Sequence, residues 1–287
     1  MAQTQSHRSG GNGNGSESNR PLIGLVLLSL LALLALSGNG AAATSASPAD
    51  APLYEPVEAP GTLNYLLHLP AGYEDSAEPY PLLFFLHGIG QKGGGSSASL
   101  ERVARHGPFR AMREGRWDQR LPFIVVGPQS SGIHPWWRGE EVRALLDHLT
   151  KTYRIDPGRR YLSGISMGGR GVWWLAKNFS NEFAALVPVS GWAGDLSRSC
   201  DVFRGMAVWA FHGEQDPVIG VSAGKKPIEV LQGCTPEISP RPHITLFDDA
   251  GHGRWRRIYE SEHYDSNRGA DRELYSDIYR WMLTFSR

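Results

Sequence analysis

The strongest chemical signal in the chain is a serine set between two glycines, Gly164-Ile165-Ser166-Met167-Gly168. The apolar run Tyr161 to Ile165 before it reads as a strand, and Gly169 to Asn178 after it reads as a helix. A serine at such a turn is held in a strained conformation with its hydroxyl presented. Glycine on either side removes the Cβ atoms that would keep strand and helix apart. The Met167 N–H, at the helix start, points where a negative oxygen would develop. A serine hydroxyl is a weak nucleophile at neutral pH, so a base must take its proton and an acid must hold that base in one tautomer. Chain order supplies both, with Asp216 just past the apolar run Ala207 to Phe211, and His252 between two glycines past Ile244 to Phe247. Asp195, Asp248 and Asp249 compete for the acid's place and rank below Asp216, whose own alternative role is to start a turn before Pro217. The second oxyanion donor is expected after Leu82 to Leu86, where Gly88 lets the chain turn and the Ile89 N–H faces a carbonyl oxygen. His87 and His212 read as loop histidines that satisfy backbone groups.

These residues need a scaffold that delivers them to one edge. Strands are expected at Thr62 to Leu69, Leu82 to Leu86, Phe123 to Val126, Tyr161 to Ile165, Ala184 to Val189, Ala207 to Phe211 and Ile244 to Phe247. Helical patterns fall between them at Leu100 to Met112, Glu140 to Tyr153, Gly169 to Asn178, Ser222 to Gln232 and Arg272 to Phe285. The alternation predicts an α/β fold, a mostly parallel central sheet of about seven to eight strands with helices on both faces. No long insertion interrupts it, so no large lid domain is expected. In such sheets the site lies at the carboxyl ends of the strands. Tryptophans fall on that side: Trp192, Trp137 with its neighbour Trp136, and Trp255. They are candidate substrate contacts, with Gln129 beside them, and the competing reading is that they pack the core. Trp173 and Trp174 sit inside a helix and read as packing.

With 287 residues, 29 Lys+Arg against 29 Asp+Glu and 41% hydrophobic residues, the chain has a globular composition. A balanced charge gives no basic face for nucleic acid, so none is expected as partner. Residues 1–43 read as a signal peptide, with a polar start, Arg20, an apolar run from Leu22 to Leu36 and cleavage after Ala43. The alternative is an uncleaved anchor, the one case in which a stable membrane partner is expected. Either reading exports the folded part, to the periplasm or outside the cell. Residues 44–60, rich in Ala, Pro and Ser, read as a linker, and 61–287 as one catalytic domain. Export makes Cys200 and Cys234 a disulfide candidate. No CxxC and no cysteine near a histidine at zinc-ligand spacing occurs, so neither a metal nor a cofactor is expected. Asn178-Phe179-Ser180 is a glycosylation sequon, meaningful only in a host that glycosylates exported chains.

From about Tyr65 onward the chain resembles the α/β-hydrolase superfamily, and within it the bacterial predicted-peptidase or phospholipase-like carboxylesterase branch, related to dienelactone hydrolases and to feruloyl and acetyl-xylan esterases. The likeness rests on Pro81-Leu-Leu-Phe-Phe-Leu-His-Gly, His106-Gly-Pro, Phe123-Ile-Val-Val-Gly-Pro-Gln129, Ile155 through Gly169, Val189-Ser-Gly, Trp209-Ala-Phe-His-Gly-Glu-Gln-Asp216 and Asp249-Ala-Gly-His252. It implies Ser166, Asp216 and His252 as a catalytic triad, in agreement with the reading of the residues themselves. The stretch Arg254 to Asp271 is more polar than the short loop expected of that branch and reads as a rim of the site. The expected activity is hydrolysis of short-acyl or feruloyl-type esters, free or linked to polysaccharide, through an acyl-enzyme. A serine peptidase and an acyltransferase would use the same three residues. A non-catalytic binding module would have no need of them.

Overall fold

The computed structural model describes residues 52–260 and 277–287. The expected signal peptide, the first part of the expected linker, the far part of the Arg254 to Asp271 rim and the start of the Arg272 helix lie outside the described residues.

Eight strands form one sheet: β1 (Glu55–Val57), β2 (Tyr65–His68), β3 (Tyr80–Leu86), β4 (Ile124–Pro128), β5 (Ile155–Ile165), β6 (Ala185–Val189), β7 (Ala207–Gly213) and β8 (His243–Phe247). Their order is β1-β2-β4-β3-β5-β6-β7-β8. β1 and β2 run antiparallel to their neighbours, and every later pair is parallel. A parallel pair needs a crossover, and helices supply these: α1 (Ser97–Leu100), α2 (Gly107–Arg113), α3 (Gly139–Thr152), α4 (Met167–Asn178), α5 (Cys200–Phe203) and α6 (Val221–Gln232), while α7 (Arg256–Tyr259) and α8 (Ile278–Met282) follow β8.

The central strands read as unbroken apolar runs because both faces are covered. In β3, Leu82, Phe84 and Leu86 join one core cluster with Val142, Leu145 and Leu149 of α3 and Val172 and Leu175 of α4. Leu83 and Phe85 join the opposite cluster, with Phe109 of α2, Ile258 of α7 and Ile278 and Trp281 of α8. α3 turns Val142, Leu145, Leu146 and Leu149 inward as its pattern predicts.

Two expectations change. Residues 55–57, placed in the linker by composition, form the edge strand β1. Tyr54 anchors it, packing edge-on against Phe109 at 5.5 Å and donating to Glu101 at 3.1 Å, while Pro56 is tolerated because an edge strand has a free side. The single helix expected over Leu100 to Met112 is instead α1, a 3-10 turn at Val103–Arg105, and α2. The break before α2 falls at His106, which is extended (φ −145°), and α2 opens on Gly107, whose φ of +67° suits glycine and where a side chain would strike the Phe85 ring. Cys200, opening α5, and Cys234, just past α6, are joined in a disulfide with Cα atoms 5.7 Å apart.

Candidate active site

β5 ends at Ile165 and α4 begins at Met167, leaving Ser166 alone at the turn with φ 53° and ψ −114°. Only Ser166 and Ser190 combine a side chain with positive φ among the described residues. The turn is tied on both sides: the Ser166 N–H donates to the Val189 carbonyl at 2.9 Å, and the Ser166 carbonyl accepts from the Arg170 N–H at 3.0 Å. The flanking glycines are required by close approach. A Cβ on Gly164 would lie 2.7 Å from the Gly168 backbone, and one on Gly168 would run into the Leu86 carbonyl.

Asp216 lies on the turn after β7. Its Oδ1 accepts the N–H groups of Val218 and Ile219, both at 2.9 Å, and its Oδ2 faces His252 Nδ1 at 2.7 Å. Burial works against the carboxylate, but the Ile219 N–H, His252 and the Val218 N–H outweigh it and hold the pKa below the usual range. His252 Nε2 lies 2.8 Å from Ser166 Oγ. One chain of contacts therefore runs from the hydroxyl through the imidazole to an ionised acid. Two of the competing acids are engaged elsewhere: Asp249 pairs with Arg257 at 2.9 Å and Asp195 accepts the Ser197 N–H at 2.9 Å.

On the other side of Ser166, Ile89 opens a 3-10 turn and Gly88 packs so closely that its missing Cβ would lie 3.6 Å from Ser166 Cβ. Neither the Ile89 nor the Met167 N–H donates to an acceptor among the described residues. Beneath this loop His87 is fully buried. Its Nδ1 meets the Gly88 carbonyl at 2.6 Å and its Nε2 accepts the Ser130 N–H at 3.0 Å. Burial, reinforced by Lys92 and only partly offset by the Gly88 carbonyl, pushes its pKa down to about 4, so it stays neutral. His212 is likewise buried, meeting the Ile219 carbonyl at 2.8 Å with its Nε2.

Two residues read as substrate contacts are supports instead. Gln129 is 2% exposed and uses its whole amide internally. Nε2 donates to the carbonyls of Gln91 and Ser99, at 2.8 and 2.7 Å, and Oε1 accepts from the Gly95 N–H and Ser99 Oγ, at 2.9 and 2.8 Å. Nothing is left for a ligand; it staples the loop after β3. Trp137 is buried against His87, ring centres 4.8 Å apart, and its Nε1 donates to the His87 carbonyl at 3.2 Å. Of the other two tryptophans, Trp255 is placed against His252 and Trp192 against Trp136. Trp255 stands edge-on to His252 at 5.4 Å and donates to Ser190 Oγ at 3.1 Å, and Trp192 meets Trp136 edge-on at 5.6 Å.

Sequence reasoning missed three contributors. Ser190 takes φ 46° and holds Trp255 against His252, a strain that no local motif announces. Tyr259, fully buried in α7, meets Ser163 Oγ at 2.7 Å and so ties the segment after His252 to the strand before Ser166. Arg170 stacks on Trp136 at 4.4 Å. Its signal, a cation one turn past the serine, is plain only once Trp136 is known to lie beside it.

Comparison with known proteins returns a consistent picture. The family described as "Putative esterase" matches residues 58–219, more than half of the chain, and stops short of His252. A bifunctional acetylxylan esterase/xylanase of Neocallimastix patriciarum is 30% identical over 145 residues, covering 48% of this chain and 20% of that protein. Feruloyl esterase C of Emericella nidulans is 28% identical over 167 residues, 56% of this chain and 57% of that one. The chain thus spans between a fifth and just over half of the length of these relatives. A thermostable esterase structure superimposes with a TM-score of 0.55 at 24% identity over 82% of this chain and 63% of that one. The feruloyl esterase module from Clostridium thermocellum, complexed with sinapinate, gives 0.51 at 20% identity over 72% and 84%. Both likenesses are of fold, the open and mostly parallel α/β-hydrolase sheet.

Proposed function

The chain belongs to this esterase family, and from that premise we propose that it is a serine carboxylesterase in which Ser166, His252 and Asp216 form the catalytic triad. The observation that carries the reading is the unbroken path Ser166 Oγ to His252 Nε2 at 2.8 Å and His252 Nδ1 to Asp216 Oδ2 at 2.7 Å. His252 Nε2 takes the hydroxyl proton as Ser166 Oγ bonds to the ester carbonyl carbon. The Asp216 carboxylate, kept ionised, holds the proton on Nδ1 and stabilises the imidazolium. The carbonyl oxygen becomes an oxyanion facing the unused N–H groups of Ile89 and Met167. Collapse of that intermediate breaks the bond to the alcohol oxygen, which leaves with the proton from His252. Water, deprotonated in turn by His252, attacks the acyl-serine and releases the acid, restoring Ser166.

The favoured substrates are short-acyl or feruloyl-type esters, small or attached to polysaccharide. Support comes from the relatives, named acetylxylan and feruloyl esterases, and from the Trp255 ring that stands against His252. Export by the N-terminal segment belongs to the same reading, supported by the Cys200–Cys234 bridge. Among the described residues no helix is long and apolar enough to cross a membrane.

The test is kcat/KM on acetyl, long-acyl and feruloyl esters beside a peptide anilide, with Ser166→Ala as control. Ester turnover falling by roughly three or more orders of magnitude in a variant that still folds is the expected result. Near-full activity in Ser166→Ala would overturn the assignment. Faster anilide than ester cleavage would move the chain to the peptidases, and acyl transfer to an added alcohol in preference to water would make it an acyltransferase.

A further inference from the structure

Arg170 stands in the first turn of α4, where its N–H meets the Ser166 carbonyl. Its guanidinium lies over the Trp136 ring at 4.4 Å and within 5.8 Å of the Trp192 ring. Among the described residues it has no carboxylate partner and its side chain donates no hydrogen bond. Burial lowers its pKa, with no neighbouring acid to offset the effect. Two arginines near the site contrast with it: Arg257 pairs with Asp249 and Arg256 with Glu260.

A partly desolvated cation without a partner is costly. Stacking on an aromatic face recovers some of that cost, but the ring leaves the in-plane N–H donors unused. Those donors form a planar fork that matches a carboxylate.

The two rings are held over Arg170 by separate elements. Trp192 follows Gly191, which packs so tightly on α4 that a Cβ there would lie 2.8 Å from the Arg170 nitrogen. Trp136 precedes Trp137, whose bond to the His87 carbonyl fixes this loop beside Gly88 and the proposed oxyanion donors. Trp136 is 42% exposed, so the platform is open to solvent.

We infer that Arg170, Trp136 and Trp192 form a subsite that binds a carboxylate carried by the substrate, the guanidinium fork engaging the carboxylate and the rings packing on the adjoining carbon skeleton. The inference rests on the esterase reading of Ser166. The carboxylate has two possible sources: a dicarboxylic acyl group, or a uronic acid on the alcohol side.

Matched pairs of esters test it. The acyl pair is the 4-nitrophenyl monoester of adipate against 4-nitrophenyl hexanoate. The alcohol pair is an acetylated methyl glucuronoside against the acetylated methyl glucoside. In the wild-type chain the anionic member of one pair is favoured in kcat/KM by about tenfold or more, and the pair that responds names the source. Arg170→Met abolishes the preference, and Arg170→Lys, which keeps charge without the fork, retains part of it. Equal kcat/KM within both pairs, or a preference that survives Arg170→Met, overturns the subsite. Thermal melts establish that both variants fold. If the wild-type chain hydrolyses no ester, neutral ones included, the failure belongs to the esterase reading. Tryptophan fluorescence titrated with glucuronate and adipate then decides the subsite. A saturable change lost in Arg170→Met upholds it, and no change in the wild-type chain overturns it.

Discussion

Asp216 differs from Asp195, Asp248 and Asp249 not in chemistry but in what surrounds it. Two backbone N–H groups occupy Oδ1 and leave Oδ2 for His252, so the acid is fixed in direction as well as in charge. Removing the charge while keeping the shape isolates that role. Asp216→Asn is expected to lower kcat by roughly 10³–10⁴-fold with a small change in thermal stability, because an amide no longer selects the Nδ1–H tautomer or stabilises the imidazolium. A kcat within a few-fold of wild type, measured on the fastest ester, would remove Asp216 from the proposed triad. Gln129 shows the opposite outcome of the same kind of reading. A polar residue near the mouth of a site is a natural candidate for ligand contact, yet each of its amide atoms is already bonded within the loop after β3. What separates the two residues is whether any hydrogen-bonding capacity is left over, and a sequence does not show that.

At the scale of elements, the serine's presentation depends on how closely α4 approaches β3 and β5. Gly168 marks the contact with Leu86 of β3, and Gly164 marks the contact between β5 and the start of α4. Backbone atoms cannot rotate away as a side chain would, so a methyl group at position 168 must push the helix off the sheet. Gly168→Ala is expected to destabilise the chain by about 1–3 kcal/mol and to depress kcat, since Ser166 would move relative to His252. Unchanged melting temperature and unchanged kcat would show that α4 has room to spare. Elements also explain the expectations that failed. β1 was hidden by the prolines and alanines around it, because three residues of edge strand carry no periodicity of their own and are fixed by pairing with β2. The segment after β3 keeps a helical apolar pattern, but His106 is extended and Gly107, packed against the Phe85 ring, has a positive φ, so the helix is split there.

For the whole molecule, the buried histidines couple folding to pH. His87 is pushed from 6.5 to about 4, chiefly by burial. Once unfolded it regains its ordinary value, so below pH 6.5 the unfolded chain binds a proton that the folded chain refuses. Stability is therefore fully present above 6.5 and declines as pH falls toward about 4, by on the order of 3 kcal/mol from this group. His106 is lowered to about 4 by burial and by Arg110, Arg105 and Arg113, and it adds to the same decline. Urea midpoints across that window are expected to fall less steeply in His87→Gln than in wild type, even though the variant starts lower for want of its hydrogen bonds. Parallel slopes would mean that His87 titrates alike in both states. By itself the sequence determined the alternation of buried strands and amphipathic helices, and the turn at Ser166, because both are written in local periodicity and in glycines a few residues apart. It also put an aspartate and a histidine at strand ends in a workable order. Tertiary structure alone decided which aspartate meets His252, turned Gln129 and Trp137 into supports, and set Arg170 against Trp136 and Trp192. Each of those outcomes depends on distances between segments far apart in the chain, which the packing of the sheet fixes and no local pattern encodes.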